Sequence, residues 1–133
     1  MERPTTDGPH PAPALAALLA ALLLGGCAVV AVSPQEEVAM GRDYARRLND
    51  TLPLIQEEAI RGYVSETGRA IAADTRRPDL PWEFQVVNTN VVNAFAVPGG
   101  FIYMNRGLLD ASDDMAEVAG VLAHEVAHVV ARH

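Results

Sequence analysis

The chain has no lysine. Its ten basic residues are all arginines, set against 17 aspartates and glutamates, for a formal net charge of −7 over 133 residues. Arg46-Arg47 and Arg76-Arg77 are the only adjacent basic pairs, so a phosphate backbone finds no cationic stripe to follow, and nucleic acid is excluded as a partner. A single cysteine, Cys27, rules out an internal disulfide and a thiolate zinc cluster. The glycine pair Gly99-Gly100 lacks the spacing of a nucleotide-binding loop and reads as a turn. Internal repeats are absent, and low complexity is confined to an N-terminal alanine and leucine run. What remains is one domain's worth of chain, half of it hydrophobic, which is enough for a modest core.

From Ala14 to Val32 every residue is apolar or glycine. Leu24-Gly25-Gly26-Cys27 within that run resembles a lipobox, the signal at which bacterial lipoproteins are cleaved before a cysteine that is then acylated. The flank before it carries Arg3 against Glu2 and Asp7, whereas a signal sequence usually opens on positive charge. Two other readings stay open: an uncleaved anchor, since a membrane span takes about 20 apolar residues, and a buried core helix. The lipobox reading divides the chain into a signal peptide over 1–26, a tether over 27–33 and a folded part over 34–133. It places the protein on the periplasmic side of the cell envelope, lipid-anchored at Cys27. Ala28, where inner-membrane retention is associated with aspartate, favours the outer membrane.

Ser33-Pro34-Gln35-Glu36 has the form of a capping box with proline at the first helical position. Val38, Tyr44 and Leu48 suggest the apolar stripe of the helix that follows, closed by Asn49-Asp50. A second helix is expected over about Pro53 to Ala73, from Ile60, Tyr63, Val64, Thr67 and Ile71. The period then changes to two: Trp82, Phe84 and Val86 mark a strand, Val91 to Val97 a second, and Phe101 to Met104 a third. With the turn at Pro98-Gly99-Gly100, Asn93–Met104 reads as a β-hairpin. Ser112 is the expected cap of the last helix, with Asp113 and Asp114 in its first turn. Met115, Val118, Ala119, Leu122, Val126 and Val129 give that helix its apolar side.

The last helix carries His124-Glu125-Val126-Ala127-His128, an H-E-x-x-H motif. Residues four apart on a helix stand one above the other, with Cβ atoms about 5–6 Å apart. Two imidazoles so placed can converge on one Zn²⁺ at about 2.0–2.1 Å per nitrogen, and the intervening glutamate can serve as general base. Two partly buried histidines on an ordinary helix is the competing reading. Glu117, two turns before His124, lies on the same stripe but about 10 Å along the axis, too far to share the metal. His133 falls off the stripe and reads as a solvated residue.

The resemblance extends beyond the motif. Ser33–Gly41, Asn93–Met104, Gly107-Leu108-Leu109 and the stretch from Ala119 to His133 together resemble the zincin metallopeptidase family forty-eight, in its periplasmic lipoprotein branch. This implies an α+β, zincin-like fold: two N-terminal helices, a small sheet with a hairpin, then the active-site helix. It implies a zinc-dependent endopeptidase in envelope protein quality control, with one zinc per domain. His124 and His128 would be metal ligands and Glu125 the base that deprotonates the attacking water. Asn93, Ala94, Phe95 and Ala96 resemble the edge strand on which such enzymes lay an extended polypeptide, held by main-chain hydrogen bonds. For Asn93, an ordinary strand or turn role stands beside the binding one. The family's third ligand is a glutamate on a later helix, and this chain ends at His133. The expectation is therefore an N-terminal piece of the catalytic domain, binding zinc weakly and cleaving nothing by itself. The alternative is a non-catalytic, membrane-tethered module that captures unfolded polypeptides through its edge strand.

Overall fold

Ser33 opens the first helix through the reciprocal bonds of a capping box. Its hydroxyl accepts from the Glu36 amide at 3.2 Å, and its own amide donates to the Glu36 carboxylate at 2.9 Å. Such a cap contributes about 1 kcal/mol, and Pro34 follows it at the start of α1, Pro34–Thr51. The computed structural model describes Val32–His133, so the expectations for the signal peptide, for Cys27 and for most of the tether lie outside the described residues.

The buried face of α1 differs from the one expected. Glu37, Gly41 and Ala45 face inward, while Tyr44 is exposed. Close approach explains the choice. Gly41 lies against the Pro98 carbonyl, where a Cβ would overlap the oxygen, so only a small-residue stripe lets α1 reach the hairpin turn. The second helix, α2, covers Glu58–Ala73 and starts later than Pro53. The residues before it run along the sheet instead: Leu54 bridges Val87, Ile55 N donates to Val86 O at 2.8 Å, and Asn88 N donates to Pro53 O at 2.7 Å. They satisfy backbone groups that an open sheet edge would leave unpaired.

Three strands follow: β1, Glu83–Val87; β2, Ala94–Val97; and β3, Phe101–Asn105. Their spatial order is β1-β3-β2. The hairpin is present, with β2 antiparallel to β3 from Ala94↔Met104 to Val97↔Phe101. Gly99 and Gly100 take φ of 93° and 107° at its turn, a region that favours glycine. β1 pairs parallel to β3, from Glu83↔Phe101 to Val87↔Asn105. The chain leaving β1 therefore crosses the end of β3 to reach the far edge. Val91 and Val92, expected in β2, lie in that crossing and are 61% and 64% exposed.

The sheet has a core on each face. On one, Val64, Phe84, Val86, Ile102, Met104, Leu122 and Val126 join α2 to the sheet and to the last helix. Gly68 of α2 leaves the space that the Phe84 ring fills. On the other face, Ala45, Val97, Phe101 and Tyr103 pack beneath α1. Burial, with the negative charge of Glu83 adding to it, pushes the Tyr103 phenol up to about 12. Its hydroxyl donates to Asn49 Oδ1 at 2.8 Å and to Ala45 O at 3.2 Å.

A short helix, α3, Arg106–Ala111, follows β3 directly. Ser112 closes α3 by donating from its hydroxyl to Leu108 O at 2.9 Å; it does not cap the last helix, as had been expected. That role falls to Asp114, whose carboxylate accepts from the amides of Ala116 and Glu117 at 2.9 and 3.0 Å. A carboxylate there satisfies two orphan donors and complements the helix dipole at once. The helix it opens, α4, covers Met115–Ala131. The whole is an α+β arrangement of N-terminal helices and a small open sheet that matches an incomplete zincin-like fold. Among the described residues, no helix is long and apolar enough to cross a membrane.

Candidate metal centre

The composition of α4 fixes which way its histidines face. Val118, Leu122, Val126 and Val129 are buried against the sheet and α2. His124 and His128 each lie two residues beyond a buried position, about 200° around the helix at 100° per residue. They therefore stand on the open side, His124 exposed and His128 partly so. Glu125, between them in sequence, is also partly exposed.

The two imidazoles converge. His124 Nε2 and His128 Nε2 are 2.9 Å apart, with ring planes at 83°. In the neutral tautomers one of these nitrogens can donate to the other, or both can turn a lone pair toward one cation. Two nitrogens bound tetrahedrally to one zinc at about 2.0–2.1 Å stand roughly 3.3 Å apart. A small opening of the pair meets that distance, so the donor set fits two positions of a zinc site. Among the described residues, no third histidine, cysteine, aspartate or glutamate gathers with them. Glu117 is engaged at the helix start, where its carboxylate accepts from Asp113 N at 2.9 Å. The His133 ring centre is 5.8 Å from that of His128, edge-on to it.

The other residues expected at the site lie on the hairpin. Among the described residues β2 pairs with β3 alone and forms the sheet's edge. Ala94 and Ala96 turn toward the core that α4 shares, while Phe95 stacks on Tyr103 with ring centres 5.0 Å apart. The alternation leaves the outer backbone of β2 without a strand partner among the described residues. Asn93 is exposed just before β2, and its carbonyl accepts from Asn105 N at 2.9 Å, which extends the hairpin by one rung. Cys27 lies outside the described residues.

Two polar devices went unseen in the sequence. In the first, Arg77 meets Glu37 through two bonds of 2.9 Å and donates to Val129 O, near the end of α4, at 3.0 Å. Arg132 Nε stands 3.2 Å from the same carboxylate. The Arg77 fork holds the Glu37 carboxyl below its ordinary value, against the opposing effect of burial, with the Arg132 charge and the Gly99 amide assisting. One buried carboxylate thus ties α1 to the hairpin turn and, through Arg77, to the helix that carries the histidines. The only hint in the sequence is a glutamate in register with Gly41 and Ala45. The second device centres on Arg106. Its Nε donates to Asn88 Oδ1 at 2.9 Å, and its guanidinium also bonds Asn90 and Asp110. No sequence signal marks it.

The profile of peptidase family M48 matches residues 58–133. Among curated proteins, the chain is similar to the beta-barrel assembly-enhancing protease of Yersinia pestis, at 34% identity over 110 residues, 83% of this chain and 23% of that protein. The protein of the same name in Escherichia coli (strain K12) is 32% identical over the same length. The mitochondrial metalloendopeptidase OMA1 of Arabidopsis thaliana is 40% identical over 80 residues, 60% of this chain and 16% of that protein. The chain spans less than a quarter of the length of each of these relatives.

Proposed function

The chain belongs to peptidase family M48, and from that premise we propose that the whole protein is a zinc-dependent endopeptidase acting on membrane or periplasmic polypeptides in envelope quality control. The observation that carries this reading is the convergence of His124 Nε2 and His128 Nε2 to 2.9 Å on the open side of α4, with Glu125 on the same turn. His124 and His128 would hold the zinc. When bound, the metal supplies a Lewis acid that polarises the scissile carbonyl.

The remaining work falls to the chain's own groups. The Glu125 carboxylate takes a proton from the attacking water and returns it to the departing amide nitrogen. The outer edge of β2, from Asn93 through Ala96, binds the substrate as an added strand, so that affinity comes from main-chain bonds and depends little on sequence. A catalytic zinc takes three protein ligands, and Val32–His133 supply two. Residues 1–133 alone are therefore expected to bind zinc weakly and to cleave nothing. Cys27 is proposed as the lipid attachment point, holding the folded part at the periplasmic face of the outer membrane.

The deciding experiment compares the zinc-loaded whole protein with its Glu125→Gln variant on an unfolded outer-membrane polypeptide. Turnover is expected to fall by about 10²–10⁴-fold while binding and zinc content persist. Binding without any cleavage by the unaltered protein would instead favour the non-catalytic capture module. In the same preparations, Cys27→Ala is expected to release the protein from the membrane fraction; retention there would remove the lipid anchor from the reading.

A further inference from the structure

The loop that feeds β2 should be the loosest part of the sheet. It has no regular structure, and it displays Val91 and Val92 to solvent. Yet it is fastened on both sides of the point where it crosses the end of β3. Gly107 N donates to Thr89 O at 2.8 Å, and a Cβ at Gly107 would overlap the Asn90 carbonyl, so loop and helix start are in direct contact. Arg106 grips the side chains of Asn88 and Asn90 from one guanidinium, and Asp110, one turn along α3, holds that guanidinium in place. Immediately after the grip, Asn105 N bonds Asn93 O, and the hairpin ladder begins.

We propose that Arg106 is a positioning residue for the β2 edge: its fork on Asn88 and Asn90 sets where the crossing loop ends and in which register Asn93–Ala96 present their outer backbone. The inference rests on the reading that this edge receives an extended polypeptide. Register matters because a slip of one residue turns every side chain to the opposite face. Here it would exchange Ala94 and Ala96, which fit beneath α4, for Phe95 and Val97, which fit beneath α1. An edge already held in its bound form also spares the incoming strand the entropy of ordering it. A planar fork suits the task, because two side-chain oxygens on alternate loop residues need donors fixed in relative position, which lysine lacks.

The test uses the zinc-loaded whole protein carrying Glu125→Gln, so that bound peptide survives. Anisotropy of a labelled peptide of alternating valine and threonine gives affinity, and amide exchange at Asn105 and Gly107 reports the fastening. Arg106→Ala is expected to weaken the peptide about tenfold, the scale of one lost hydrogen bond to a charged group. Exchange at both amides should quicken, with the melting temperature and zinc content held. Arg106→Lys should fall between the two, and Asn90→Ala should repeat the effect with the arginine intact. In the cleaving protein, Arg106→Ala should raise KM and leave kcat. Equal affinity in the Arg106→Ala and parent proteins overturns the proposal, whether or not the amides loosen. A parent protein that binds no peptide overturns the edge-strand reading first, and this inference with it.

Discussion

Arg77 and Arg106 do similar things in different surroundings. Each spreads one guanidinium over a carboxylate and over groups on a neighbouring segment. Arg77 does so in the interior, with side-chain exposures of 15% for itself and 10% for Glu37. Arg106 does so at the surface, where it and Asp110 are 36% and 58% exposed. Burial decides what each is worth. Removing one partner of a buried pair leaves the other charge poorly solvated, at a cost of about 3–5 kcal/mol. At Glu37 the half-exposed Arg132, 3.2 Å away, stays as a second counterion and holds the loss to the lower end. An exposed pair contributes about 0.2–1 kcal/mol. The inner arginine thus bears on whether the fold persists, and the outer one on where a loop rests.

The sharpest way to break this contrast is Arg77→Ala, which should lose about 3 kcal/mol in urea denaturation, since Arg132 still faces Glu37. Replacing both partners, Arg77→Met with Glu37→Met, should recover most of that loss, because the charge then left without its partner, Arg132, is one that water reaches. A double variant as unstable as the single one would mean that the bond to Val129 O outweighs the ion pair. A smaller effect comes from acid. The folded Glu37 carboxyl sits below its ordinary value, so its contribution is present above the unfolded range of about 4.3 and is lost as pH falls through the lower, folded value. Glu37→Gln should erase that part of the acid limb in a stability titration against pH. The smallest effect belongs to Arg106→Ala, whose unfolding free energy should stay within about 1 kcal/mol of the parent. A loss near that of Arg77→Ala would end the distinction between the two.

The sequence is most legible where a local rule has no rival. The capping box at Ser33, the alternation through Trp82, Phe84 and Val86, and the glycine turn at 99–100 needed only their own neighbours. The helical spacing of His124 and His128 likewise sufficed to bring the rings together. Errors arose where distant segments made the choice. Tyr44 looked like a stripe residue until the hairpin turn demanded Gly41 in its place. Pro53 sits beside a helical pattern, and nothing local reveals that β1 needs an edge partner there. Val91 and Val92 have strand propensity, but a parallel β1–β3 pair sends them across the sheet's end. Ser112 and Asp114 are both good caps, and only the presence of α3 separates their roles. Glu37 with Arg77 joins residues forty apart, a pairing that no window of sequence contains.

Among the described residues the outer edge of β2 is open, and that has a further consequence. Proteins commonly protect an open strand from its own kind with lysine, a charge or a proline along it. Ala94-Phe95-Ala96-Val97 has none of these until Pro98, and the chain has no lysine to lend. The same unpaired backbone that would hold a client strand is complementary to another copy of itself. At high local concentration such copies would meet edge to edge, so dilution itself becomes a protection against pairing.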